Sequence, residues 1–136
     1  EARFVWSPAG NPTAEDYYPG DNYVDVIGTT VLYDEHWYGS RLPSFDSLVT
    51  KRLWLQQYGK PVWIAEFGAG RLNIANQGEL ISEALANYKT LGFQAIVYLN
   101  LADANIVGPD YRLNSINDFG NLFSPKSPDT SVTSTK

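Results

Sequence analysis

Four stretches of the chain are almost continuously apolar and rich in β-branched or aromatic side chains. They are Arg3-Phe4-Val5-Trp6, Tyr23-Val24-Asp25-Val26-Ile27-Gly28 running on to Thr29-Thr30-Val31-Leu32-Tyr33, Pro61-Val62-Trp63-Ile64-Ala65-Glu66-Phe67, and Gln94-Ala95-Ile96-Val97-Tyr98-Leu99-Asn100. Ser7-Pro8, Gly59, Gly68 and Gly92 punctuate them. Strands covered on both faces read this way, because neither side of the pleat is left to water. Between them the period changes to that of a helix. Ser44 is placed to cap a helix whose apolar positions are Phe45, Leu48, Val49 and Leu53, ending at Tyr58-Gly59-Lys60-Pro61. Asn76 with Glu79 three residues on has the spacing of a capping box. Leu80, Ile81, Ala84, Leu85, Tyr88 and Leu91 then form one stripe, closed by Gly92. Ser115 to Phe123 predicts a third, shorter helix, and the Ser/Thr/Pro-rich tail 124–136 reads as linker or disorder.

Strand and helix alternate, which predicts an α/β domain over 1–123 with a parallel sheet. Four such strands suit a small doubly wound sheet or half of a (β/α)8 barrel. A complete barrel takes about 250 residues, and this chain has 136.

Composition removes several chemistries. There is no Cys, so disulfides, thiolate metal sites and a Cys nucleophile are excluded. With His36 the one histidine, a multi-histidine metal site is excluded too. The formal charge of −5, without a basic run, makes nucleic acid a poor partner. No apolar run approaches the roughly 18 residues of a membrane span. The chain holds no Met, even at position 1, and no signal-peptide pattern at Glu1-Ala2-Arg3, so a processed or excised product is expected.

Candidate chemistry lies at strand ends. Glu66 closes the apolar run Val62-Trp63-Ile64-Ala65, where a carboxylate is costly unless it is paired, hydrogen-bonded or functional. A structural role, capping a helix or pairing an arginine, and a catalytic role are both open on this pattern. Gly68-Ala69-Gly70 after a strand suggests a nucleotide loop, but Asn73 stands where a third glycine would be needed and no Gly-Lys-Ser/Thr follows. A flavodoxin-like domain fits the length but lacks a Ser/Thr-rich phosphate loop after the first strand.

Taken in order, these segments resemble glycoside hydrolase family 26, the β-mannanase family among the retaining barrels. Trp63-Ile64-Ala65-Glu66-Phe67-Gly68 resembles its seventh-strand nucleophile motif, and Phe4-Val5-Trp6-Ser7-Pro8 its fifth strand. Tyr17-Tyr18-Pro19-Gly20-Asp21 and Tyr23 to Gly28 resemble the lead into its sixth strand, with Ser44-Phe45-Asp46 opening the next helix. Ala95 to Asn100 resembles the eighth strand and Asp110 to Ser115 the segment after it. The resemblance implies the C-terminal half of a (β/α)8 barrel, strands five to eight with their helices. It implies endo-hydrolysis, with retention, of a β-linked polysaccharide such as mannan, needing no cofactor or metal. It makes Glu66 the nucleophile and Tyr33 the residue that orients it. Trp6, His36, Trp37, Tyr98, Asn100 and Asp103 become candidate substrate contacts. A secreted or extracellular location is implied by the family.

One departure bears on activity. Retaining hydrolysis uses two carboxylates about 5–5.5 Å apart, and no stretch here matches the family's fourth-strand acid/base. Asp34, Glu35 and Asp103 follow strand ends without matching it. The isolated chain is therefore expected to be inactive, and to need an N-terminal half-barrel or self-association. A non-catalytic carbohydrate-binding or assembly module on the same scaffold is the alternative, with the flavodoxin-like binding domain third.

Overall fold

The structure is a computed structural model that describes residues 2–39, 43–70, 74–102 and 110–113. The expected helix at 115–123, the tail 124–136 and Asp103 lie outside the described residues. Four parallel strands, β1 (Val5–Trp6), β2 (Val26–Tyr33), β3 (Val62–Ala69) and β4 (Ala95–Tyr98), form one sheet in the order β1-β2-β3-β4. The second strand starts later than its apolar run, because Asp21–Tyr23 coils into a 3₁₀ turn first. The third runs on through Gly68 and Ala69, which still pair with Leu32 and Tyr33. Gly68-Ala69-Gly70 is thus not a nucleotide loop, since two of its three residues are strand.

Side chains along β2 alternate between two environments. Ile27, Thr29, Val31 and Tyr33 are buried toward the helices, and all but Thr29 belong to the one core cluster. On β3 the core-facing residues are Val62, Ile64, Phe67 and Ala69. The step from Ile64 to Phe67 is three residues, so the alternation breaks there. The register shows why: Thr29 pairs with Ile64 but Thr30 pairs with Glu66, leaving Ala65 as an extra residue in a β-bulge. The β4 register slips at the same place, Ile64 opposite Ile96 and Phe67 opposite Tyr98.

Helices complete the core on that one face. A short helix α1 (Glu35–Tyr38) follows β2, α2 is Phe45–Thr50, and α3 is Ile74–Asn87. Ser44 does cap α2, its Oγ accepting from Ser47 N at 3.2 Å, and Glu83 of α3 reaches across to accept from Phe45 N at 2.9 Å. The expected helix through Tyr58 is broken at Lys51–Arg52 and resumes as a 3₁₀ turn, Leu53–Tyr58. Arg52 causes an obvious constraint there. Its guanidinium donates to Leu48 O at the end of α2 and to Thr30 O on the sheet.

Helix α3 buries Leu80, Ile81 and Ala84, with Leu85, Tyr88 and Leu91 packed alongside. It already runs from Ile74, so Asn76 stands inside it and is no N-cap, which corrects the capping box. Its far end closes in a Schellman turn at Gly92 (φ 89°), where Phe93 N donates to Tyr88 O at 3.0 Å and Phe93 goes into the core.

Sequential strand order with the helices packed on one face is barrel-like. A flavodoxin-like sheet changes direction in its strand order and carries helices on both faces, so that alternative is overturned. The other face of this sheet carries Val5, Gly28, Thr30, Leu32, Trp63, Ala65, Glu66 and Val97, and both Val5 and Val97 are exposed.

Candidate active site

Parallel strands bring all their C-terminal ends to one edge, and in barrels that edge carries the chemistry. Glu66 sits near this edge on the open face and is exposed, although its neighbours Ile64 and Phe67 are fully buried. The bulge at Ala65 produces this. In a regular strand Glu66 and Ile64 would share the core face. The extra residue turns Glu66 outward and Phe67 inward. Phe67 then meets Phe45 and Tyr98 edge-on, with centroids 5.8 and 5.9 Å away. The Glu66 carboxylate accepts a hydrogen bond from its cross-strand neighbour, Thr30 Oγ1 to Oε2 at 2.8 Å.

The end of β3 beyond Glu66 is covered by residues 110–113. Tyr111 lies against Gly68, where a Cβ would stand 2.8 Å from Tyr111 Cδ1 and 2.9 Å from Leu32 Cδ2. Tyr98 Oη donates to Tyr111 O at 2.8 Å, and Gln77 Nε2 donates to Ala69 O at 2.8 Å and to Arg112 O at 3.3 Å. Burial, reinforced by the charges of Asp34 and Tyr98, pushes the Tyr111 hydroxyl up to about 12. Asp34, the residue after β2, is itself buried.

The candidate residues from the sequence are placed unequally. Tyr33 is fully buried in the helix-side core and stacks on Tyr38 at 5.8 Å. It stands three residues after Thr30, an odd step, so its ring leaves the sheet on the side away from Glu66. Trp6 also points to the helix side, where it packs edge-on against Tyr18 and Tyr58 at 4.9 and 5.6 Å. Tyr98 is tied into the core through Phe67, Gln77 and Tyr111. Trp37 on α1 is 65% exposed at the strand-end edge. The backbone of His36 lies on the same helix, and its side chain is outside the described residues. Asn100 is exposed, and its Oδ1 accepts from Leu113 N at 2.9 Å. The structure therefore brings Glu66 and Thr30 together, leaves Trp37 exposed on the helix after β2, and turns Trp6, Tyr33 and Tyr98 to the helix side of the sheet, Tyr33 fully buried and the other two partly.

Sequence reasoning passed over Thr30, Gln77 and Tyr111. Thr30 had a signal, a hydroxyl within the apolar run Val26 to Tyr33, but β-branched threonine is also ordinary strand material. Among the described residues no group of three His, Asp or Glu side chains is placed to hold a metal ion. No helix among them is long and apolar enough to cross a membrane.

Helices on one face of a sequentially ordered parallel sheet are the arrangement of part of a (β/α)8 barrel. The family model for glycosyl hydrolase family 26 matches residues 2–89, and the chain belongs to that family of glycoside hydrolases. Among solved structures, a Cellulomonas fimi endo-beta-1,4-mannanase double mutant superposes with a TM-score of 0.51 at 19% identity. The match covers 88% of this chain and 30% of the mannanase, so the chain spans about a third of that protein's length. An engineered protein reaches a TM-score of 0.48 at 19% identity, over 87% of this chain and 29% of its own. No curated protein sequence matches.

Proposed function

We propose that this chain supplies the nucleophile-bearing half of a retaining endo-β-glycan hydrolase, with Glu66 as the nucleophile. The observation that carries the reading is the bulge at Ala65, which places an ionisable side chain on the open face and gives it a hydroxyl donor. The carboxylate would attack the anomeric carbon as the glycosidic oxygen leaves with a proton from a separate acid. Water would then hydrolyse the glycosyl ester and regenerate Glu66. A β-linked mannan is the substrate class, in line with family membership and with the activity named for the mannanase that shares the fold. Such a polymer would be met outside the cell. Exposed Trp37 on α1, the helix that follows β2, is a candidate to flank a sugar.

The acid would come from the rest of a barrel, whose strands would also cover the open face. The protein with both halves present should cleave mannan and an activated aryl β-mannoside. Glu66→Ala should remove at least 10³-fold of that rate, on the scale of losing an activated nucleophile. A 2-fluoro mannosyl fluoride should add one sugar mass to the unmutated protein and none to the variant. Activity of Glu66→Ala within a few-fold of the parent would overturn the assignment. Tight oligosaccharide binding with no turnover by the parent would favour the non-catalytic carbohydrate-binding reading.

A further inference from the structure

Opposite Glu66, on the neighbouring strand β2, stands a side-chain hydroxyl. Thr30 Oγ1 lies 2.8 Å from Glu66 Oε2. Its backbone is held from behind: Arg52 Nε donates to Thr30 O at 2.6 Å, and the same guanidinium donates to Leu48 O at the end of α2. The strand at residue 30 is thereby pinned to the helix layer. A β-branched side chain has few χ1 choices, so a fixed backbone largely fixes the hydroxyl. The bulge completes the arrangement, because in unbroken register Thr30 would face Ala65. Leu32, the next residue on the same face, has no donor, and Tyr33 leaves on the other face.

We propose that Thr30 is the positioning residue for Glu66, a role that rests on reading Glu66 as the nucleophile. The hydroxyl holds Oε2 and fixes the carboxylate's rotation, leaving Oε1 to approach the anomeric carbon. An aligned attacking oxygen is worth most in the transition state, and a donor to a carboxylate is stronger than a neutral hydrogen bond. Arg52 acts one step further back, by setting where Thr30 stands.

The test uses the protein with both halves present and an aryl β-mannoside whose leaving group needs no proton. Thr30→Val keeps the shape and removes the donor; Thr30→Ser keeps the donor. Thr30→Val should lower kcat roughly 10-fold or more, the scale of a hydrogen bond to a charged group, with KM within about two-fold. Its rate of labelling by the 2-fluoro mannosyl fluoride should fall in parallel. Thr30→Ser should stay within about three-fold of the parent, and all three proteins should melt at similar temperatures. Equal rates for Thr30→Val and parent would overturn the proposal, as would equal damage from Val and Ser. So would a raised KM with unchanged kcat, which is the mark of a substrate contact. An active Glu66→Ala variant would instead remove the nucleophile reading itself. An inactive Glu66→Ala beside a fully active Thr30→Val would leave that reading and overturn this one alone.

Discussion

Adjacent residues on β3 have opposite duties, and this is open to measurement. Phe67 is 1% exposed between Phe45 and Tyr98, so Phe67→Ala should cost about 3–5 kcal/mol through lost burial and a residual cavity. Glu66 is exposed, and Glu66→Ala should leave the denaturant midpoint nearly unchanged. A large loss at Glu66 would show it to be a structural carboxylate. The tyrosines give a pH-dependent counterpart. Burial raises Tyr111 to about 12, aided by Asp34 and Tyr98. Burial also raises Tyr18 to about 12, aided by its hydrogen bond to Asp21, 2.7 Å, and that residue's charge. Unfolded, both lose their protons near 10. Between these values the unfolded chain has fewer bound protons than the folded one. This contribution to stability is therefore complete below pH 10 and lost as pH rises to about 12. In a tyrosinate absorbance titration, Tyr111→Phe should remove one late-ionising ring and flatten that decline. An unchanged late phase would mean that Tyr111 is not packed over Gly68.

At the scale of elements, turns and close approaches decide where each segment stops. Gly92 has φ 89° in the turn that ends α3, and a Cβ there would lie 2.5 Å from Gln56 Nε2, which bonds Leu91 O. Gly92→Ala should destabilise the chain by about 1 kcal/mol or more, from the left-handed backbone and the displaced glutamine. Thermal melts would check it, and a neutral result would mean that the turn reorganises freely. Gly68→Ala acts differently, since the new methyl would push Tyr111 and Leu32 off the end of β3. It should loosen residues 110–113, seen as faster amide exchange at Tyr111, whose N–H donates to Leu101 O at 2.9 Å. Both glycines were legible as punctuation, but the sequence marked Gly68 as a boundary when it is strand. Nothing local to Gly68 announces a tyrosine arriving from residue 111.

For the whole molecule, the controlling fact is a sheet with helices on one face and Val5, Trp63, Ala65 and Val97 on the other. Among the described residues β1 and β4 are the edge strands of the sheet, and an edge strand offers its backbone groups to a neighbour. The 136-residue chain alone should therefore self-associate or depend on an N-terminal half-barrel, and should not hydrolyse mannan. Sedimentation equilibrium and an assay of the chain alone address both, and a cooperative, active monomer would refute them. The apolar runs and their spacing determined the four strands, the alternation, the helix stripe of α3 and the Ser44 cap, because periodicity and capping are local. They also marked Glu66 as a carboxylate out of place in a strand. What the sequence could not contain was its direction. Whether Glu66 enters the core or the open face depends on one extra residue, Ala65, in a register set by β2 and β4. Strand alternation likewise turns Trp6, Tyr33 and Tyr98 to the helix side of the sheet, whereas the family resemblance had made them site candidates. Strand order is likewise a tertiary outcome, decided by which face the helices cover, and only the folded chain shows Thr30 as the neighbour that holds Glu66.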